Sequence, residues 1–193
     1  AHSYRNQARQ IVEDSIRLVN IVDDIDLTAR LEMENQVATP DEASDIIEIV
    51  EAALHRLDPQ LEKHAISLKL STHAKMPFCK IERQSGIRLI ERMIATTIGI
   101  AEAGETLAIN MTHNPRHIII AIDQPRLIDF DFGRHIHGLS PDQEGRCANP
   151  PPLGLNFAMR LIRQMAQGYG AQFRTEAGKF TLILPQAQDS EKK

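Results

Sequence analysis

The chain has little with which to stack on nucleobases: it lacks tryptophan, and Phe, Tyr and Trp together make up 4% of its 193 residues. Recognition of single-stranded nucleic acid leans on aromatic platforms and basic grooves, and this chain has neither. Its 22 Lys and Arg against 26 Asp and Glu leave a net charge of −4, with no basic excess to draw a phosphate backbone. Long apolar runs are absent too. None reaches the roughly 20 residues that a membrane-spanning helix needs, so the piece is predicted to be soluble. Only two cysteines occur, Cys79 and Cys147; isolated thiols fit a reducing compartment better than a disulfide framework. The polar start, Ala-His-Ser-Tyr-Arg-Asn-Gln, excludes a signal peptide in this stretch. The lack of an initiating methionine predicts a fragment of a longer chain. Hydrophobic content of 42% and charged content of 25% are those of a globular protein.

The strongest periodic signal lies in the first 32 residues. Ala8, Ile11, Ser15, Leu18, Val22, Ile25 and Ala29 alternate steps of three and four, which holds a heptad register over about three heptads. Val12, Ile16, Val19 and Ile21 widen the stripe toward that of a helical hairpin or four-helix bundle. One helix cannot bury such a stripe alone. Ile11, Leu18, Val22 and Ile25 are therefore predicted to form a dimer interface.

Thr39-Pro40-Asp41-Glu42 reads as a linker and helix start. A helix is expected from about Asp45 to Lys63, then a strand through Ile66, Leu68 and Leu70. A second helix is expected over Gln84–Ala101, followed by strands at Leu107, Ile109 and Met111 and at His117–Ile122. Residues 124–153 show no periodicity and hold five prolines; so long a stretch without regular structure is usually functional or mobile. A third helix is expected over Leu155–Ala166, ended by Gly168 and Gly170. Phe173 and Thr175, then Phe180, Leu182 and Leu184, predict a closing hairpin. This order gives an α+β fold, a two-layer α/β sandwich with three helices on one face of a mixed sheet. Three segments result: a dimerisation helix over 1–38, an α/β domain over 39–186, and a frayed tail over 187–193.

Particular residues within this order resemble the C-terminal portion of sensor histidine kinases, over nearly the whole chain. Arg17 to Glu32 is similar to the second helix of that family's dimerisation and phosphoacceptor hairpin, Leu-x-x-Leu-Ile-x-Asp-(Ile/Leu)-Leu-Asp-Leu-Ser-(Lys/Arg)-(Ile/Leu)-Glu. The remainder resembles the catalytic ATP-binding domain of the GHKL superfamily. The resemblance implies an ATP site, whose motifs can be checked one residue at a time. The asparagine box, Asn-Leu-x-x-Asn-Ala-x-Lys-Tyr, aligns with Arg92 to Ile100. Thr96 then stands for the magnesium-bridging Asn, Gly99 for the Lys and Ile100 for the Tyr. A threonine hydroxyl is a shorter and weaker ligand for Mg²⁺ than a carboxamide oxygen.

The motif Asp-x-Gly-x-Gly corresponds to Asp123-Gln124-Pro125-Arg126-Leu127. Asp123 is kept, and the resemblance assigns its carboxylate to the adenine amino group; both glycines are gone. Of the final glycine box, Gly-x-Gly-Leu-Gly-Leu, only Leu153, Gly154 and Leu155 survive, behind Pro150-Pro151-Pro152. Glycines let backbone N–H groups approach phosphate at a helix N-terminus. Proline has no N–H and a fixed φ. The family's phosphoacceptor string, His-(Glu/Asp)-x-x-x-Pro, does not occur, and His2 lies in no comparable context.

Each of these features has a plainer reading. Asp123 can be an ordinary strand-end aspartate, and the three prolines can simply stiffen a loop rather than dock an SH3-like partner. His135, His137 and Cys147 lack a fourth ligand, so no metal site is expected. No catalytic residue is assigned. The resulting expectation is a pseudokinase of a two-component phosphorelay, with Asp123, Thr96, Ile100, Gly154 and Leu155 lining a degraded cofactor site. ATP or ADP should bind weakly or not at all, and Mg²⁺ only with ATP. The rival expectations are an active ATP-dependent protein-histidine kinase with unusual motifs and a phosphotransfer protein with a vestigial ATP domain. A homodimer, a response regulator or a partner histidine kinase are the expected partners, with no nucleic acid and no membrane contact by this piece. Its expected location is the cytoplasm, whether or not the parent chain is membrane-anchored.

Overall fold

The computed structural model describes residues 42–72, 75–124, 126, 147–176 and 178–187, with ten positions of the N-terminal segment. The chain divides into two compact units, Ala1–Asn35 and Gln36–Lys193. In the first, Tyr4, Gln7, Ile11, Val12, Ser15, Val19, Val22, Ile25, Asp26 and Ala29 are all helical and all exposed. Leu18 lies outside the described residues, as does the Thr39-Pro40 linker.

The second unit runs β1 (Ser44–Asp45), α1 (Ile46–His64), β2 (Ser67–Thr72), β3 (Phe78–Cys79), α2 (Arg83–Ile100), β4 (Thr106–His113), β5 (His117–Asp123), α3 (Leu155–Gly168), β6 (Gln172–Glu176) and β7 (Lys179–Pro185). The main sheet has the order β2-β4-β5-β7-β6, with β2 parallel to β4 and every other pair antiparallel. Its alternation matches the sequence. Leu107, Ile109 and Met111, Ile118, Ile120 and Ile122, and Phe180, Leu182 and Leu184 are all buried on one face. Their registers place Ile109 opposite Ile122, and Ile120 opposite both Met111 and Leu182. Phe173 and Phe180 stack with centroids 5.6 Å apart. The other face carries half-buried Ala108, Asn110, Ile119, Ala121 and Thr181, so the architecture is the expected two-layer α+β sandwich. Helices and sheet share one core because period-two and period-3.6 stripes can cover each other only face to face.

The helix ends have identifiable causes. Asp45 caps α1 by accepting from the Ile47 N–H at 2.8 Å, and Ala65 closes it in the left-handed region at φ 53°. Pro59 is tolerated inside α1. Glu82 caps α2, its two carboxylate oxygens accepting from the Gln84 and Ser85 N–H groups at 2.7 Å each. Burial raises the Glu82 pKa, but the Gln84 N–H, the Ser85 hydroxyl and N–H and the Arg88 charge together outweigh it and hold the carboxyl below its ordinary value. Gly86 lets α1 and α2 cross closely: a Cβ there would lie 2.8 Å from Ile49 Cδ1. The small sheet pairing β1 with β3 was not foreseen, since two-residue strands carry no readable period.

Candidate functional site

The residues that the resemblance aligns with ATP motifs lie in the last turns of α2, at the end of β5 and in the loop that leads into α3. Thr96 and Thr97 lie in α2 and are buried. Each hydroxyl donates back along its own helix, Thr96 Oγ1 to Arg92 O and Thr97 Oγ1 to Met93 O, both at 2.8 Å. This back-bonding is the usual resort of a threonine inside a helix. Thr96 therefore spends its proton on the helix and offers a metal only the remaining lone pairs of a buried hydroxyl.

Gly99 has a different role. The Asn149 N–H donates to Gly99 O at 2.9 Å, and Asn149 Nδ2 donates to Ala101 O at 3.3 Å. A Cβ on Gly99 would lie 2.8 Å from Asn149 O and 3.4 Å from Pro151 Cδ. The loop thus lies in the direction a side chain at position 99 would take. Burial, then the Lys63 charge, lowers the His64 pKa, against a smaller rise from Asn149. Pro151 O accepts the Gly154 N–H at 2.9 Å, forming the tight turn into α3. Gly154 takes φ 83° as the N-cap, a conformation glycine adopts without steric cost.

At the end of β5 the structure separates two neighbours. Asp123 lies on the outer face, where Asn110 Nδ2 donates to its Oδ2 at 3.1 Å and Lys179 Nζ lies 3.4 Å from its Oδ1. That Oδ1 is shielded from water and has no hydrogen bond of good geometry, so the lysine contact is electrostatic only. Gln124 turns inward and is fully buried. Its Nε2 donates to Thr97 O at 3.4 Å, and its Oε1 accepts from the Arg126 N–H at 3.1 Å. Arg126 in turn grips Glu105 at 2.6 Å and Glu102 at 2.7 Å.

Of the residues expected to line the site, Thr96 and Ile100 share the end of α2, and Gly154 and Leu155 open α3. Ile100 and Leu155 are 1% and 0% exposed and are core residues. Asp123 is on the opposite face of the sheet from the buried Ile122. Gln124, Asn149, His64 and Arg126 were not singled out from the sequence. Gln124 was readable, because the inward series Ile118, Ile120, Ile122 continues to residue 124. His135 and His137 lie outside the described residues. Among the described residues, no group of three or more His, Cys, Asp or Glu is placed to hold a metal ion. No helix among them is long and apolar enough to cross a membrane.

No family pattern matches the sequence, and no curated protein matches it. Solved structures do. The histidine kinase AdeS of Acinetobacter baumannii aligns with a TM-score of 0.62 at 16% identity, over 94% of this chain and 84% of that one. The mycobacterial sensor histidine kinase MprB aligns at 0.51 and 14% identity, over 75% and 97%. The nucleotide-free catalytic domain of the histidine kinase ThkA aligns at 0.54 and 10% identity, over 75% and 96%. Identities this low speak to architecture alone, and the fold of this chain is similar to that of these histidine kinase structures.

Proposed function

We propose that this chain is the C-terminal part of a sensor histidine kinase-like protein of a two-component phosphorelay, acting as a pseudokinase through dimerisation and protein contacts. The observation that carries this reading is the chemistry present at the family's ATP positions. Thr96, with its hydroxyl bonded inward, replaces the metal-bridging amide, Gly99 replaces the lysine, and Pro150 and Pro152 remove N–H donors from the phosphate loop. Hydrogen bonds to charged groups contribute roughly 1.5–3 kcal/mol each, so losing several raises a dissociation constant by orders of magnitude. ATP·Mg²⁺ should therefore bind weakly or not at all.

The N-terminal unit supports the second half of the reading. Ile11, Val22 and Ile25 are 65%, 61% and 52% exposed, an apolar stripe that a second copy of the helix would cover. A homodimer with a response regulator or a partner kinase as its client, in the cytoplasm, fits this arrangement. Titration calorimetry with ATP and Mg²⁺ tests the pseudokinase reading. No heat at millimolar nucleotide is expected, and a low-micromolar dissociation constant would restore the active-kinase alternative.

A further inference from the structure

Asn149 ties its loop to two points at the C-terminal end of α2. Its N–H reaches Gly99 O and its carboxamide reaches Ala101 O. These partners stand about fifty residues away in sequence, so the contact belongs to the tertiary fold and not to a local turn. The seat is made by an absence, since Asn149 O and Pro151 Cδ occupy the volume a side chain on Gly99 would fill. At the other root of the 124–149 stretch, Gln124 bonds Thr97 O. Both roots are thus fastened to the last turn of α2.

We infer that Asn149–Pro151 is an internal plug seated on Gly99, and that this plug closes the degraded site to a nucleotide independently of the lost ligands. The inference rests on the pseudokinase reading for the identity of the site, but the plug itself can be tested without any nucleotide. A glycine at 99 and an asparagine at 149 act as seat and key. Any side chain at 99 must move the backbone of residue 149, because the nearest atom is a main-chain oxygen rather than the end of a flexible side chain.

The experiment is amide hydrogen exchange on the full 193-residue chain, read at residue 149 by NMR. In the unmodified protein the Asn149 amide should be protected. Gly99→Ala should speed its exchange about tenfold or more, as expected when an anchoring hydrogen bond is lost. The amides of Ile120 and Leu182, deep in the β5–β7 ladder, should keep their rates. If Gly99→Ala fails to fold, Asn149→Ala is the second variant; it removes the carboxamide bond and should likewise speed exchange at residue 149. An Asn149 amide that exchanges like an open one in the unmodified protein, or an unchanged rate in the variants, overturns the plug. Adding ATP with Mg²⁺ separates the two claims. Tight binding with Asn149 still protected overturns the plug, because the nucleotide then sits elsewhere. Tight binding that strips the protection overturns the closure and the loss of nucleotide use together, whereas no binding with Asn149 protected upholds both.

Discussion

Replacing Gln124 by Leu and, separately, Asp123 by Ala tests which of two adjacent residues holds the end of β5 in place. Leucine has about the volume of glutamine, so Gln124→Leu opens little cavity at a fully buried position. It does remove the bond that Gln124 Oε1 accepts from the Arg126 N–H at 3.1 Å. Thr97 O keeps the Ala101 N–H at 3.2 Å, and the Gln124 bond to it, at 3.4 Å, is at the long end of the range. The loss is thus the two hydrogen bonds of a buried amide, roughly 0.5–1.5 kcal/mol each. Asp123→Ala removes a contact to a lysine that is 57% exposed and one bond from Asn110. Exposed pairs of this kind contribute at most about 1 kcal/mol, and the shielded Oδ1 without a hydrogen bond lowers the figure further. Urea titration of both variants should show a clear fall in midpoint at constant slope for Gln124→Leu and a small one for Asp123→Ala. In heat, the first should lower Tm by about 2–4 °C per kcal/mol in a domain of this size. If Asp123→Ala costs as much as Gln124→Leu, the inward and outward assignments of these two side chains are wrong.

Gly86→Val should destabilise the second unit by about 1–3 kcal/mol through overpacking, because Ile49 Cδ1 and Ile81 Cγ2 already fill the space; a midpoint unchanged in urea would refute the close helix crossing. Glu82→Gln should cost about 0.5–2 kcal/mol at neutral pH as a weakened cap. Because the folded Glu82 pKa is lowered from 4.5, the carboxylate's stabilisation is complete above that value and disappears as pH falls through the folded pKa. The gap between the two proteins should therefore close in acid, and a gap that widens there would contradict the cap. Burial pushes the Cys79 thiol up to about 12, and its Sγ donates to Ser44 O at 3.3 Å, so it should resist iodoacetamide at pH 8 until the protein is unfolded. Val22 and Ile25 changed together to Asp should give a monomer by sedimentation with the far-UV spectrum of the α/β unit retained; unmodified protein that is already monomeric at tens of micromolar would remove the case for the stripe as an interface.

The sheet was legible because its strands alternate strictly, and every inward residue of β4, β5 and β7 is a large apolar side chain. The helices were legible from their stripes, with boundaries off by a residue or two. Glu82 escaped as a cap because glutamate is a poor candidate for that position, where Ser, Thr, Asp and Asn lead; here both carboxylate oxygens find donors. The site was less legible. The resemblance singles out Asp123, and the period of the strand places its neighbour Gln124 on the inward side. The seat of Asn149 on Gly99 had no sequence signal at all, since a glycine in a helix is read as a cost until its distant neighbour is known.

The order of strands carries a consequence for how the second unit acquires its structure. β7 is the last strand in chain order, yet it lies between β5 and β6. The stretch from Gln124 to Gly154 and all of α3 must therefore be emitted before the sheet can close on its inner strand. Until then the row of Ile118, Ile120 and Ile122 has β4 on one side and nothing on the other. The search for that partner scales slowly with the length of the intervening chain, each doubling adding about 0.6 kcal/mol of closure entropy. Lengthening or shortening the proline-rich stretch should consequently change the rate of folding more than the stability of the finished sheet. Until β7 is made, a new copy waits with an adhesive strand edge exposed.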